Sequence, residues 1–458
     1  MRALFILVLA GGLLWLALQG FRSVRAEAEP PPEPPRAGFL LPPRPSAAET
    51  TVPAPAPAPA APTQSAVVET KTQSHVVPPP AEAAPPQRVE PARSSVGGEG
   101  DRGMEALRTA PSPDELGLAS LMLQRPREVP GFLEGAGSSL PKERKQLALA
   151  LHHLLLGPEA EARRIAEDLE SGGGVRAEEV AYLREALLPA NPKPAVTGDS
   201  PLLLATSLAL LARSAEGHLA AGRSREAASD YGQLLLGVLD APWPTGREQL
   251  QSWSDALARA QAGYRWNPGA EWSSVAIKVG SGDSLISVRK RAIEEHPELL
   301  VCTGEIARAN GLHGEVIHPG DVLKIPTSHP NVLVDLESHW ALYRMDSDVV
   351  AAWEIGIGKP GSETPPGEYR AGEKSKEPMW FRAGHDPVPF GDPENPLGSR
   401  WIAWQNLNGS NSSLGFHGTS DPGSIGEDRS QGCVRMRREA IEELYEILPR
   451  GAVIRVRP

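Results

Sequence analysis

The segment from Glu29 to about Gly100 decides how much of this chain can fold. Proline, alanine and small polar residues dominate it, with strict alternation from Pro53 to Pro59, and large apolar residues at helix or strand spacing are almost absent. Such a stretch cannot bury enough apolar surface to offset the entropy of ordering its backbone. Alternating proline favours an extended polyproline geometry, so residues 29–100 are predicted to be a disordered, semi-rigid linker. Ahead of it, Arg2 is followed by no charge until Arg22, with an apolar run from Ala3 to Leu18. Residues 1–28 read as an export element in either of two forms. One is a cleaved signal peptide ending at Ala26-Glu27-Ala28; the other is an uncleaved membrane anchor, since the run approaches the ~20 residues that span a bilayer. Both place the rest of the chain outside the cytoplasm, in a cell envelope.

A formal net charge of -11 without a long basic run removes the electrostatic grip that phosphate backbones require, which argues against a nucleic-acid partner. Only two cysteines occur, Cys302 and Cys433, too few for a disulfide framework or a four-cysteine zinc site. A single bridge between them is one reading, and it needs α-carbons within about 7 Å.

Residues 101–270 carry leucine and alanine at helical spacing: Leu147, Leu151 and Leu155, then Ile165 and Leu169, then Val180, Leu183 and Leu187. Gly157 and Pro158 are predicted to close one helix and open the next. Leu219 to Tyr231 resembles the turn and second helix of a tetratricopeptide repeat, through the small residues Ala220, Ala221, Gly222, Ala227 and Ala228. The region is either an irregular helical spacer or a repeat array that docks a protein partner. His152, His153 and His218 are read as packing or surface residues.

From Ser273 the pattern changes. Ile277 to Leu285 predicts a strand, a glycine turn and a helix start capped by Asp283 or Ser284. A second helix carries Ile306 and ends at Asn310-Gly311-Leu312, and Ile317 to Pro326 gives a turn and a short strand. This βααβ order resembles a LysM module over residues 273–328. The resemblance implies binding of peptidoglycan glycan strands by Gly282, Asp283, Ser284 and Leu285, and by Asn310, Gly311 and Leu312.

Residues 330–458 alternate and turn in the manner of a mainly-β domain, with Val332 to Leu336, Trp340 to Arg344 and Val349 to Ile357 as strands. Two short segments carry chemistry: Gly415-Phe416-His417-Gly418-Thr419, and Ser430-Gln431-Gly432-Cys433-Val434-Arg435-Met436. A thiol is mostly protonated at neutral pH, so a cysteine nucleophile needs a base, and the base needs an orienting acceptor. His417 can serve as that base. A helix read from Arg437 onward would let the amides of Gly432 and Cys433 face a developing oxyanion.

Together with the Thr364-Pro365-Pro366-Gly367 turn, the Asn395-Pro396-Leu397-Gly398 stretch and the closing strand Gly451 to Val456, these segments resemble the YkuD-type L,D-transpeptidase catalytic domain. The resemblance implies Cys433 as nucleophile, His417 as general base and the carbonyl of Gly418 as its orienting group. Gly432, Ser430, Arg435 and Thr419 would form the oxyanion and substrate-binding surroundings. It further implies attack on a tetrapeptide stem with loss of its terminal D-alanine, a thioester intermediate, and transfer to an amine or to water, with no metal or cofactor. Gln431 departs from the histidine that many members carry at that position. That departure supports a rival reading, a non-catalytic peptidoglycan-binding scaffold.

Overall fold

The computed structural model describes residues 111–188, 200–381 and 385–458. The export element, the linker and the first ten residues of the helical region, 101–110, lie outside the described residues. No described helix is long and apolar enough to cross a membrane.

The helical region begins with α1 (Pro113–Gln124), which Ser112 caps through a bond from the Glu115 amide to its hydroxyl. It continues through α2 (Val129–Glu134), α3 (Lys142–Leu156), α4 (Glu159–Gly172), α5 (Ala177–Ala186), α6 (Pro201–Ala220), α7 (Ser224–Leu239) and α8 (Arg247–Gly263). Leu147, Leu151 and Leu155 of α3 and Ile165 and Leu169 of α4 are buried, as their spacing predicts. Gly157 separates those two helices, with Pro158 next to it. His152 bonds the Pro126 carbonyl through Nδ1 at 2.9 Å, and His218 faces Asp230 at 3.0 Å, so both are held within the helical packing.

Next comes a small unit of β1 (Ser274–Lys278), α9 (Leu285–Glu295), α10 (Thr303–Ala309) and β2 (Val322–Pro326), whose two strands pair antiparallel. Its strand, helix, helix, strand order is the one the sequence predicts. Ser284 caps α9, and Asp283 bonds the Gly280 amide and the Arg291 guanidinium. Leu285 is not a surface contact: it sits in the core of this unit with Val288, Ile306 and Ile325. Asn310 is likewise committed internally, its side chain joining the Ile306 carbonyl to both backbone groups of Lys324.

The last part is a nine-stranded sheet built from β3 (Pro330–Asp335), β4 (Trp340–Met345), β5 (Asp348–Gly358), β6 (Gly367–Lys376), β7 (Arg400–Gln405), β8 (Asn411–His417), β9 (Asp428–Ser430), β10 (Val434–Met436) and β11 (Val453–Arg457). Its order is β10-β8-β7-β6-β11-β3-β4-β5-β9, and β10 also pairs with β5, so the sheet curls into a barrel-like ring closed by β10. The amphipathic helix α11 (Arg438–Ile447) buries Ile441, Leu444 and Ile447 in the same core as Val332, Tyr343, Trp404, Phe416, Val434 and Ile454.

Strands β3 and β4 are apolar at nearly every position because both of their faces are covered. Val332, Val334, Ala341 and Tyr343 turn toward the barrel core. Leu333, Trp340 and Leu342, with Val349 and Ala352 of β5, belong instead to the core of the helical region. Helix α8 also donates from Ser254 Oγ to the Ala352 carbonyl at 2.6 Å and from Gln261 Nε2 to the Val349 carbonyl at 3.1 Å. The helices therefore share a continuous core with the barrel.

The small unit meets the barrel at α10 and α11. Cys302 donates to the Glu446 carbonyl at 3.0 Å, and Tyr343 donates to that of Ile447 at 2.9 Å. Beneath them Glu305 is fully buried, and among the described residues neither of its carboxyl oxygens has a hydrogen-bond partner in good geometry. Desolvation pushes its pKa up to about 8, with the Cys302 amide and Arg265 acting the other way. The folded state thus binds this proton more tightly than the unfolded chain does. The associated stability is full below about pH 4.5 and is lost as the pH rises to about 8. Glu305→Gln is expected to flatten the dependence of the thermal unfolding midpoint on pH across that window, while the wild-type midpoint falls toward its alkaline end.

Candidate active site

Strands β8 and β10 run parallel, with Val434 opposite Phe416 and Arg435 opposite His417. Phe416 and Val434 point into the barrel core. Alternation then sends His417, Arg435, Gly415 and Cys433 to the other face, which gathers the predicted base and nucleophile on one side of two neighbouring strands. The reason lies in the sequence: each motif places a core residue, Phe416 or Val434, directly beside a residue carrying chemistry.

His417 is buried and its Nδ1 lies 2.6 Å from the Gly418 carbonyl oxygen. An oxygen of that kind only accepts, so Nδ1 carries the proton and Nε2 keeps the lone pair. Burial lowers the imidazole pKa to about 4; the Gly418 and Pro396 backbone carbonyls oppose the shift and the Arg435 charge adds to it. The ring stacks on Trp401, centroids 5.9 Å apart. Cys433 is half-buried, and its thiol faces the Ser413 carbonyl at 4.0 Å. Desolvation pushes this thiol up, against the Gly415 backbone and Arg435, which favour the thiolate.

The turn before Cys433 is held from several sides. Ser430 Oγ donates to the Cys433 carbonyl at 2.6 Å and accepts from the Gly432 amide at 3.1 Å. Thr364 Oγ1 donates to the Gly432 carbonyl at 2.9 Å while accepting from Gly358 at 3.0 Å, and the Lys359 amide donates to the Ser430 carbonyl at 3.0 Å. Gly432 has φ +106°, a conformation that a residue with a Cβ rarely adopts.

This arrangement revises two expectations. The Gly432 amide is bound to Ser430 and does not face an oxyanion position. α11 begins at Arg438 with Arg437 as its cap, where the sequence expects a helix, but β10 stands between it and Cys433, so the cysteine lies at a junction of loop and strand and its amide is not at a helix N-terminus. Ser430 is buried and serves the turn. Thr419 closes its own loop, donating to the Asp421 carbonyl and accepting from the Asp421 amide. It lines a cavity of about 250 Å3 with Phe390, Asn395, Ser399 and Gly418. Arg435 is half-buried, and its Nε has no hydrogen-bond partner among the described residues, which leaves a guanidinium facing the site. Both cysteines are free, so the disulfide reading fails: Cys302 is tied to α11 and Cys433 to the β8–β10 face.

Thr364 and Trp401 are contributors that the motif alone does not flag. Each lies in a stretch that the sequence marks as a turn or an aromatic wall, but nothing in the residue order points to the Gly432 carbonyl or the His417 ring.

A thiol and an imidazole on one face of two neighbouring strands, the ring oriented by a carbonyl, are able to carry an acyl group on sulfur with the ring moving the proton. Comparison with known proteins shows the family. Residues 330–456 match the YkuD family, the L,D-transpeptidase catalytic domain. The putative L,D-transpeptidase YqjB of Bacillus subtilis is 30% identical over 138 residues, covering 30% of this chain and 72% of that protein. The putative L,D-transpeptidase YkuD of Bacillus licheniformis is 30% identical over 155 residues, 32% of this chain and 81% of its own length. Among solved structures, an L,D-transpeptidase from Mycobacterium smegmatis is similar at 20% identity with a TM-score of 0.24, over 30% of this chain and 64% of that one. The chain belongs to the L,D-transpeptidase family.

Burial raises the Cys433 thiol and holds His417 at about 4, and both shifts disfavour a thiolate–imidazolium pair near neutrality. The alkylation rate of Cys433 by iodoacetamide is expected to keep climbing with pH beyond the range of an ordinary thiol, without a plateau near 7. Peptide mapping over a pH series measures this, and a plateau below neutrality would contradict it.

Proposed function

We propose that the chain is a peptidoglycan L,D-transpeptidase of the cell envelope, with Cys433 as nucleophile and His417 as general base. The observation that carries this reading is the shared face of β8 and β10, on which the imidazole is locked with Nδ1 on the Gly418 carbonyl. Cys433 Sγ attacks the carbonyl carbon between the third stem residue and the terminal D-alanine as His417 Nε2 takes the thiol proton. The tetrahedral centre then collapses: the C–N bond breaks, D-alanine leaves with that proton on its amine, and a thioester remains on Cys433. An amine of a second stem attacks the thioester, His417 removes its proton, and the sulfur departs to be reprotonated. Water in place of the amine gives L,D-carboxypeptidase action. The half-buried Arg435 guanidinium is suited to a stem carboxylate. Gln431 takes nothing from this scheme, because the base is His417.

Residues 273–328 form, in this reading, a LysM glycan-binding module, supported by the βααβ order and the antiparallel β1–β2 pair. With the side chains of Leu285 and Asn310 committed inside the unit, glycan contact falls to the backbone and exposed groups of the loops at Gly282 to Ser284 and Gly311 to Leu312. Residues 1–28 and 29–100 would export the chain and space it from the membrane. Residues 101–270 serve as a helical region packed on the 330–458 catalytic domain, and their exposed face remains available to a protein partner.

The test is incubation of the protein with tetrapeptide muropeptides or intact sacculi, followed by mass analysis of the products. Loss of D-alanine together with new cross-linked dimers is expected from the wild type. Cys433→Ala is expected to lose at least about a thousand-fold of that activity. D-alanine release that persists in Cys433→Ala would refute the assignment.

A further inference from the structure

The loop from Gly418 to Glu427 joins the two halves of the candidate site, since it leaves β8 at His417 and enters β9 on the way to the Cys433 turn. Its middle is held by the helical region. Arg247, at the start of α8, donates from Nη2 to the Ile425 carbonyl at 2.7 Å and from Nε to Glu354 of β5. Glu354 is buried and also pairs with Arg437, at 3.1 Å, just past the end of β10. A carboxylate withdrawn from water between two guanidiniums is a strongly directional anchor, and only an arginine fork reaches a carboxylate and a carbonyl together.

The loop is shaped to receive this anchor. Gly426 has φ +78°, donates to the Ile355 carbonyl at 2.9 Å, and has the Arg247 guanidinium where a Cβ would stand. Ser424 is fully buried against Gly356, the β5 partner of Arg435. Beside the anchor, a cavity of about 930 Å3 separates α8 from the loop, so Arg247 and Glu354 make the bridge across an otherwise open gap.

We propose that Arg247 is a positioning residue for acyl transfer at Cys433: the helical region, outside the matched catalytic domain, holds the 418–427 loop and with it the spacing between His417 and Cys433. The inference rests on the transpeptidase reading for its chemistry, but the loop-holding part has its own readout. Arg247→Ala and Arg247→Lys in the full chain are compared with wild type. The measurements are kcat and KM for D-alanine release, and amide hydrogen exchange over residues 418–433. Arg247→Ala is expected to lower kcat by about ten-fold or more, because a small misplacement of reacting groups costs that much, with KM changed far less. Exchange should quicken in the loop while β3 and β4 keep their protection. Arg247→Lys is expected to recover part of kcat, since one ammonium reaches one of the two acceptors.

Wild-type kcat and unchanged loop exchange in Arg247→Ala would overturn the proposal. If Arg247→Ala does not fold, Glu354→Gln removes the carboxylate charge at the same anchor and is read by the same two measurements. If the wild type itself releases no D-alanine, the functional reading fails, and unchanged loop exchange in the variant then sinks the anchor independently.

Discussion

A three-residue strand closes the barrel, and the candidate site exists because of how it does so. Val434 to Met436 pair with β8 on one side and β5 on the other. Val434 and Met436 go into the core, which turns Arg435 and the preceding Cys433 outward beside His417. Barrel closure and site assembly are therefore a single event. The apolar burial of Phe416, Val434 and Met436 stabilises the register in which thiol and imidazole share a face. A slip of one residue would send the cysteine toward Phe416 and the core.

Around that strand the polar groups divide into those that build and those that remain for chemistry. Ser430 and Thr364 spend their hydroxyls on the backbone of the Cys433 turn, and the Gly432 amide is consumed there. The Gly418 carbonyl fixes the His417 tautomer. Among the described residues the Arg435 Nε is left without a hydrogen-bond partner, and the Cys433 thiol meets only the distant Ser413 carbonyl. Burial disfavours the charged form of both the thiol and the imidazole.

Much of this was legible in the residue order, and the gaps have physical causes. The strands and helices of residues 273–458 announce themselves through alternation, glycine turns and caps, and the Gly415–Thr419 and Ser430–Met436 blocks pointed to the right face. The helix expected from Arg437 onward is there, capped at Arg437, but the three-residue strand Val434 to Met436 ahead of it is too short for its alternation to show in the sequence. Leu285 and Asn310 enter as glycan contacts only through the LysM resemblance, which points to whole loops; in the structure one side chain fills a core and the other staples a helix end to β2. The fusion of helices and barrel was hidden more deeply. Leu333, Trp340 and Leu342 show only that β3 and β4 are covered on both faces, and sequence spacing gives no sign that α7 and α8 do the covering, or that Arg247 reaches a carbonyl 178 positions away.

The account turns on which of the two sulfurs takes up an acyl group. Both are half-buried, but Cys302 is tied to the Glu446 carbonyl and pushed by burial up to about 12, whereas Cys433 lies on the β8–β10 face with His417 and Arg435. Incubation with a carbapenem, followed by intact-mass measurement and peptide mapping, separates them directly. One covalent adduct confined to the peptide carrying Cys433, and lost in His417→Ala, is the expected result. An adduct on Cys302, or no adduct from folded protein, would contradict it.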